Sequence, residues 1–300
     1  MADARLGGGG AWAQKQLTQV EPRYLTPAIS ELRRSQVSEA DSTAYLEGLI
    51  AFYRADYDTA IARANEAQQA APWLYEAIKL IGDVHLQRGL RAWDRVDMAE
   101  AERELAAATA SFEQAAQIGQ SDAEVYEALA DAWIQRIAVA QQQRQLPAMQ
   151  AGYAALLEVS NKLRTVDPGS IVGPLKQAQG LFWRISVPDP LDDLADLARQ
   201  CQTQAEQVLA KQAQHPYATN LLSTCVAAQG SIAFRKHEDP EPLYRRSVAI
   251  LEPILETNPF FLEGIRNMGV RYGELADQIV RRGSPEAEAL LYKSLSFFQR

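Results

Sequence analysis

Cysteine and histidine are scarce: the 300 residues hold two cysteines and three histidines. Cys201 and Cys225 allow one bridge at most, which excludes a disulfide framework. Such sparing use fits a reducing compartment, so a cytoplasmic location is expected. His85, His215 and His237 share no metal-ligand spacing with one another or with a cysteine, and no metal site is expected. No apolar run approaches the roughly 18–20 residues of a membrane helix. The start carries Asp3 and the run Gly7 to Gly10 where a secretion signal needs a basic end and an apolar stretch. Basic residues are outnumbered: 30 Lys and Arg face 38 Asp and Glu, for a net charge of −8. That balance argues against nucleic acid and against an anionic membrane surface. What the chain does have is a hydrophobic fraction of 47% and a charged fraction of 23%, enough to exclude a wholly disordered or collagenous chain.

Signs of catalysis are missing as well. Gly7 to Gly10 are followed by no Gly-Lys-Ser/Thr and preceded by no strand, so they read as a linker and not as a phosphate loop. Neither cysteine has a His-Asp set near it in sequence. Cys225 reads as a packed thiol and Cys201 as a helix-face residue. His237-Glu238-Asp239 reads as a turn that caps a helix, with a weak cation site as the alternative. No cofactor is expected, and the chain is read as a non-enzyme.

Length then becomes informative, because single cores stop growing near roughly 250–300 residues. A chain of 300 is either one large domain or an array of small units. Internal spacing favours the array. Residues 48–72 read GLIAFYRADYDTAIARANEAQQAAP, with small residues at Gly48, Ala60 and Ala67 and a proline at Pro72. Gly82 follows Gly48 by 34 residues in a similar context. Further small or apolar residues in that context are Ala130, Ala178 and Val226, each 48 residues after the last, and Gly269, 43 after Val226. Pro168, Pro216 and Pro259 follow the same steps of 48 and 43, each behind a polar residue: Asp167, His215 and Asn258. Gln120-Ser121-Asp122 stands in place of that proline ending once. Fourteen extra residues are seven per helix, close to the 7.2 of two full turns, so the apolar face stays nearly in phase.

Start signals alternate with those endings. Asp97 with Glu100 reads as a capping box. Asp189-Pro190, Asp239-Pro240 and Ser284-Pro285 each place a capping side chain before a proline at the first helical position. Asp56 and Pro147 mark two more starts. Strand signals are almost absent, and apolar positions recur three and four apart.

The segment 48–72 closely resembles the tetratricopeptide repeat (TPR), a 34-residue pair of helices, A and B, joined by a turn. Gly48 corresponds to the small residue at the family's eighth position, where A packs closely on B. The resemblance implies an all-α TPR-like α-solenoid, a right-handed superhelix of about six hairpins, several with lengthened helices. Residues 39–300 form this repeat domain, and residues 1–38 a flexible segment in which Pro27 to Val37 are a candidate capping helix.

In that family the concave face is lined by fixed positions of helix A. Carried over, they are Glu76, Lys79, Asp83 and Gln87; Glu124, Glu127, Asp131 and Gln135; Gln179, Phe182 and Trp183; and Asn220 and Ser223. Five acidic residues against one lysine make either an ordinary solvated helix face or a groove for a basic or mixed peptide. The aromatics Trp73, Tyr75, Tyr126, Trp133, Phe182 and Trp183 are either core between hairpins or, for Phe182 and Trp183, anchors for a partner. The expected function is a protein-interaction scaffold. Residues 41–136 also look like TPR regions C-terminal to bacterial serine/threonine kinase domains, which implies a regulatory piece of a larger kinase. No glycine-rich kinase loop, His-Arg-Asp or Asp-Phe-Gly is present in the chain. The apolar final stretch from Leu290 to Phe298 suggests either a continuing repeat or self-association.

Overall fold

A computed structural model describes residues 40–186 and 190–299, with Pro27 and Ser30. The glycine run, all of the expected capping helix at 27–37 except Pro27 and Ser30, and the cap at Asp189 lie outside the described residues. The described residues form twelve α-helices and no strand. They are α1 (Ala40–Tyr53), α2 (Tyr57–Ala70), α3 (Tyr75–Asp94), α4 (Met98–Ile118), α5 (Ala123–Gln142), α6 (Leu146–Val166), α7 (Val172–Ile185), α8 (Leu191–Lys211), α9 (Pro216–Arg235), α10 (Glu241–Thr257), α11 (Leu262–Val280) and α12 (Glu286–Phe298). Odd-numbered helices are A helices and even-numbered ones B helices. The chain divides into two compact units, residues 1–139 and 140–300.

Within each unit the contacts are those of a hairpin array. Helices pack on their sequence neighbours, and A helices also touch the next A helix: α1 on α3 in the first unit, α7 on α9 and α9 on α11 in the second. This is an all-α, TPR-like repeat fold. The lengthening inferred from the spacing is real. Helices α1 and α2 have 14 residues each, and α3 and α4 have 20 and 21.

The turn from A to B is built the same way five times. One residue enters the left-handed region, and the next donates its backbone N–H five residues back, closing the A helix. The left-handed residues are Ala55, Val96, Arg144, His237 and Gly283. The closing bonds are Asp56 N–H to Ala51 O, Asp97 to Ala92, Gln145 to Ala140, Glu238 to Ala233 and Ser284 to Ile279. Only one of the five is glycine, the residue that tolerates this conformation without cost.

Caps follow the sequence closely. Asp56 accepts from Thr59 N–H and Asp97 from Glu100 N–H. The second half of the expected capping box is not made, because the Glu100 carboxylate turns to Arg103. Asp239 accepts from Glu241 N–H and Ser284 from Glu286 N–H, which puts Pro240 and Pro285 at the N-cap, one residue earlier than expected. At the end of the second hairpin Gly119 caps α4, and Asp122 accepts from Glu124 N–H to begin α5.

Two expectations need correction. Pro216 does not end a B helix: α8 stops at Lys211, and Pro216 opens α9, capped by the His215 Nδ1 that accepts from Ala218 N–H. The register of the fifth A helix shifts with it. Ser223, and not Val226, makes the hydrogen-bonded contact with the B helix. It is fully buried, and its hydroxyl donates to Ser247 O at 2.8 Å while Ser247 donates to Ser223 O at 2.9 Å. Gly269 is its counterpart on α11, where Ser294 donates to the Gly269 carbonyl at 2.8 Å. A serine at that position carries no size signal as clear as glycine, and the evenly spaced prolines pointed to Val226 instead.

The cysteines are the other correction. Cys201 on α8 and Cys225 on α9 are fully buried and joined in a disulfide, with Cα atoms 5.8 Å apart. Neither is a free packed thiol or a helix-face residue. The pair sits in a cluster with Leu181, packed against by Tyr153, Phe182, Ile185 and Leu197.

Candidate functional site

The first unit presents an A-helix face on which every residue named from the sequence keeps some exposure. Glu76, Lys79, Asp83 and Gln87 lie along α3, and Glu124, Glu127, Asp131 and Gln135 along α5. One turn separates Lys79 from Asp83, and their side chains pair at 3.1 Å. Glu127 and Asp131 are each engaged in interactions of their own. Glu76 and Glu124 add their carboxylates to the same face. Tyr45 on α1 belongs to the same face: burial, then the Glu76 and Asp83 carboxylates, push its hydroxyl up to about 12. That proximity follows from the α1–α3 packing and was not legible in the sequence. Trp133 is drawn aside by Arg136, whose guanidinium stacks 4.5 Å from the ring centroid and reaches Glu102 on α4 at 2.7 Å.

The second unit treats its four groups differently. Gln179 and Trp183 are one turn apart on α7 and half-buried, and the Gln179 Oε1 is a buried acceptor with no hydrogen-bond partner. Phe182 meets Trp183 at a tilt, 5.2 Å between ring centroids, yet it also packs on the cystine cluster. Asn220 is buried and spent on the neighbouring A helix: it donates to Glu263 at 3.0 Å and accepts from Asn267 at 2.9 Å. Glu263 is held above the usual carboxylate range by burial, against the pull of Arg266 and the Asn220 amide. Ser223 faces α10 and is closed to any partner. Asn220 and Ser223 therefore hold helices together instead of lining an open face.

Among the remaining aromatics, Tyr126 is core, its hydroxyl donating to Gln120 O, while Trp73 stands in the α2–α3 turn with 68% of its surface exposed. His237-Glu238-Asp239 is the turn expected of it. Among the described residues no group of three or more His, Cys, Asp or Glu is placed to hold a metal ion. No described helix is long and apolar enough to cross a membrane.

One cluster escaped the sequence reading. At the α3–α4 turn an open pocket of about 310 Å³ is lined by Tyr57, Arg88, Arg91, Arg95, Glu100, Arg103 and Glu104. Its signal was the recurrence of arginine along the extra turns of α3, which pass unnoticed beside the acidic total.

No protein-family model matches the chain, and no curated protein matches it. Solved structures of similar fold include a thermophilic TPR protein of Thermus thermophilus, 14% identical, covering 77% of this chain and 98% of its own, with a TM-score of 0.47. The TPR2AB domain of yeast Sti1 in its pHSP90 complex is 12% identical over 98% of this chain and 97% of its own, with a TM-score of 0.27. A human IFIT1 dimer with m7Gppp-AAAA is 12% identical over 97% of this chain and 77% of its own, with a TM-score of 0.30. These superpositions are loose, and the assignment of the fold stands on the hairpins and turns described above.

Proposed function

We propose that the chain is a non-catalytic scaffold that binds a peptide or protein segment on its A-helix faces, with a preference for basic or mixed sequence. The observation that carries this is the run of partly exposed polar side chains from Glu76 to Gln135, on a face where the same helices place their other sides in the core. Glu76 and Glu124 supply the charge that would steer a basic segment. In the second unit the unpartnered Gln179 carbonyl beside Trp183 supports the same use, since a buried acceptor without a donor is an exception in folded proteins. A peptide N–H would satisfy it, and the indole would cover an apolar side chain.

Fluorescence anisotropy with labelled lysine-rich and glutamate-rich peptides of equal length tests this. The lysine-rich peptide should bind more tightly, lose affinity with added salt, and lose at least tenfold with Glu76→Lys and Glu124→Lys together. Equal affinity for the two peptides, or no effect of the double variant, rejects the basic-segment reading. The kinase-adjacent reading is supported only by the sequence resemblance over residues 41–136. A kinase domain encoded directly upstream in the same reading frame is its test, and an unrelated neighbouring gene rejects it.

A further inference from the structure

The arginine pocket of the first unit arises from a mismatch in helix length. Helices α1 and α2 are 14 residues long, and their turn closes at Asp56. Helix α3 runs 12 residues beyond Gly82, from 82 to 94, where α1 runs 5 beyond Gly48, from 48 to 53, so its tip overhangs that turn by about 10 Å. The start of α2, with Tyr57 and Asp58, lies beneath the overhang. Arg88, Arg91 and Arg95 come down from α3, and Arg103 enters from α4.

Charge in this pocket is distributed unevenly. Arg88 pairs with Asp58 at 2.5 Å, and Arg103 reaches both Glu100 and Glu104, at 2.5 and 3.0 Å. Glu104 is further held by His85 at 2.7 Å. The lining carboxylates are therefore already occupied. Arg91 lies over the Tyr57 ring at 4.6 Å, a cation–π contact that holds the guanidinium in place without neutralising its charge. Among the described residues neither Arg91 nor Arg95 forms an ion pair. Arg91 and Arg95 therefore face one space without a carboxylate between them and repel each other unless an anion joins them, and a chain of net charge −8 has no general excess of cations to place there.

From this geometry we infer that the pocket binds a phosphomonoester group, at a site separate from the A-helix faces. The phosphate dianion presents three acceptor oxygens, so it can take the Arg91 and Arg95 forks together, where a single carboxylate would fill one. The group is carried either by a small phosphorylated metabolite or by a phosphorylated side chain of a peptide, and the two are separable by affinity.

Isothermal titration of the full chain at low salt, with inorganic phosphate and with a phosphoserine peptide beside its unphosphorylated twin, tests the site. Saturable binding of phosphate and of the phosphopeptide is expected, weakened at least tenfold by Arg91→Gln and Arg95→Gln together. A phosphopeptide bound tenfold or more above phosphate assigns the site to a protein side chain; near-equal affinities assign it to a free phosphate ester. Arg91→Lys with Arg95→Lys, which keeps the charge and loses the forks, should fall between. Both arginines are exposed, so circular dichroism should not change. If the double variant unfolds, Arg95→Gln alone, with no ion pair to lose, carries the same comparison. No saturable phosphate binding, or affinity within twofold of the parent in the glutamine variants, overturns the inference.

Discussion

Ser223 and Ser247 hold each other's backbone: each hydroxyl donates to the other residue's carbonyl across the α9–α10 contact, and the two oxygens lie 3.0 Å apart. The exchange satisfies two fully buried hydroxyls between the helices. Ser223→Ala should cost about 1 kcal/mol by losing one donor, and Ser223→Leu about 3 kcal/mol or more by overpacking. Urea unfolding measures both. A leucine tolerated within about 0.5 kcal/mol would return the register to Val226.

Val96 stands at φ 62° in the α3–α4 turn with 76% of its surface exposed. A β-branched residue is poorly suited to the left-handed region, and nothing buried is gained from it there. Val96→Gly should therefore stabilise the chain by about 1 kcal/mol, less the added entropy of the unfolded glycine. A fall in melting temperature would show that the side chain contributes something the turn geometry does not reveal.

The hairpins and their turns were legible because they depend on local chemistry that repeats. Small residues at Gly48, Gly82 and Gly269, together with the caps at Asp56 and Asp97, marked the elements almost to the residue. The fifth repeat was misplaced because a regular proline spacing outweighed a buried serine. The A-face residues were carried over from the fixed positions of the resembling repeat, and such positions do not tell which side chains the next helix consumes: Asn220 and Ser223 are buried between helices. The cystine and the arginine pocket required knowing which helices stand side by side, and no spacing rule supplies that.

Gly82 lies against the Phe112 ring, where an added Cβ would come within 2.5 Å of a fully buried aromatic. Gly230 leaves 3.2 Å to Tyr244. Gly82→Ala should cost about 2 kcal/mol, because the ring has no free volume to retreat into. Gly230→Ala should be nearly neutral, helix propensity offsetting the tighter contact. Equal effects in thermal unfolding would contradict this reading.

The Cys201–Cys225 bridge encloses a span of 24 residues, for which chain-entropy estimates give about 3–4 kcal/mol. Thiol titration of the denatured, unreduced chain should find no free cysteine, and reductant should lower the melting temperature. Two titratable thiols and no response to reductant would refute the bridge.

Glu104 is nearly buried; burial would raise its pKa, but His85 and Arg103 hold it below the usual carboxylate range. Its folded value is the lower one, so its contribution is present above the unfolded pKa and is lost as pH falls through the folded value. Glu104→Gln should cost about 2 kcal/mol at neutral pH and flatten the acid limb of the stability curve. An unchanged acid limb would place the sensitivity elsewhere.

Hairpins of equal height would end flush. Here a pair of 14-residue helices stands beside a pair of 20 and 21, and the difference leaves a step. The relief at this end of the first unit is therefore written in helix length before any side chain is chosen. Trimming two turns from α3 and α4 would remove the ledge while leaving the packing face in phase. A repeat chain built this way can add or withdraw a recess in two-turn increments and leave its core pattern unchanged.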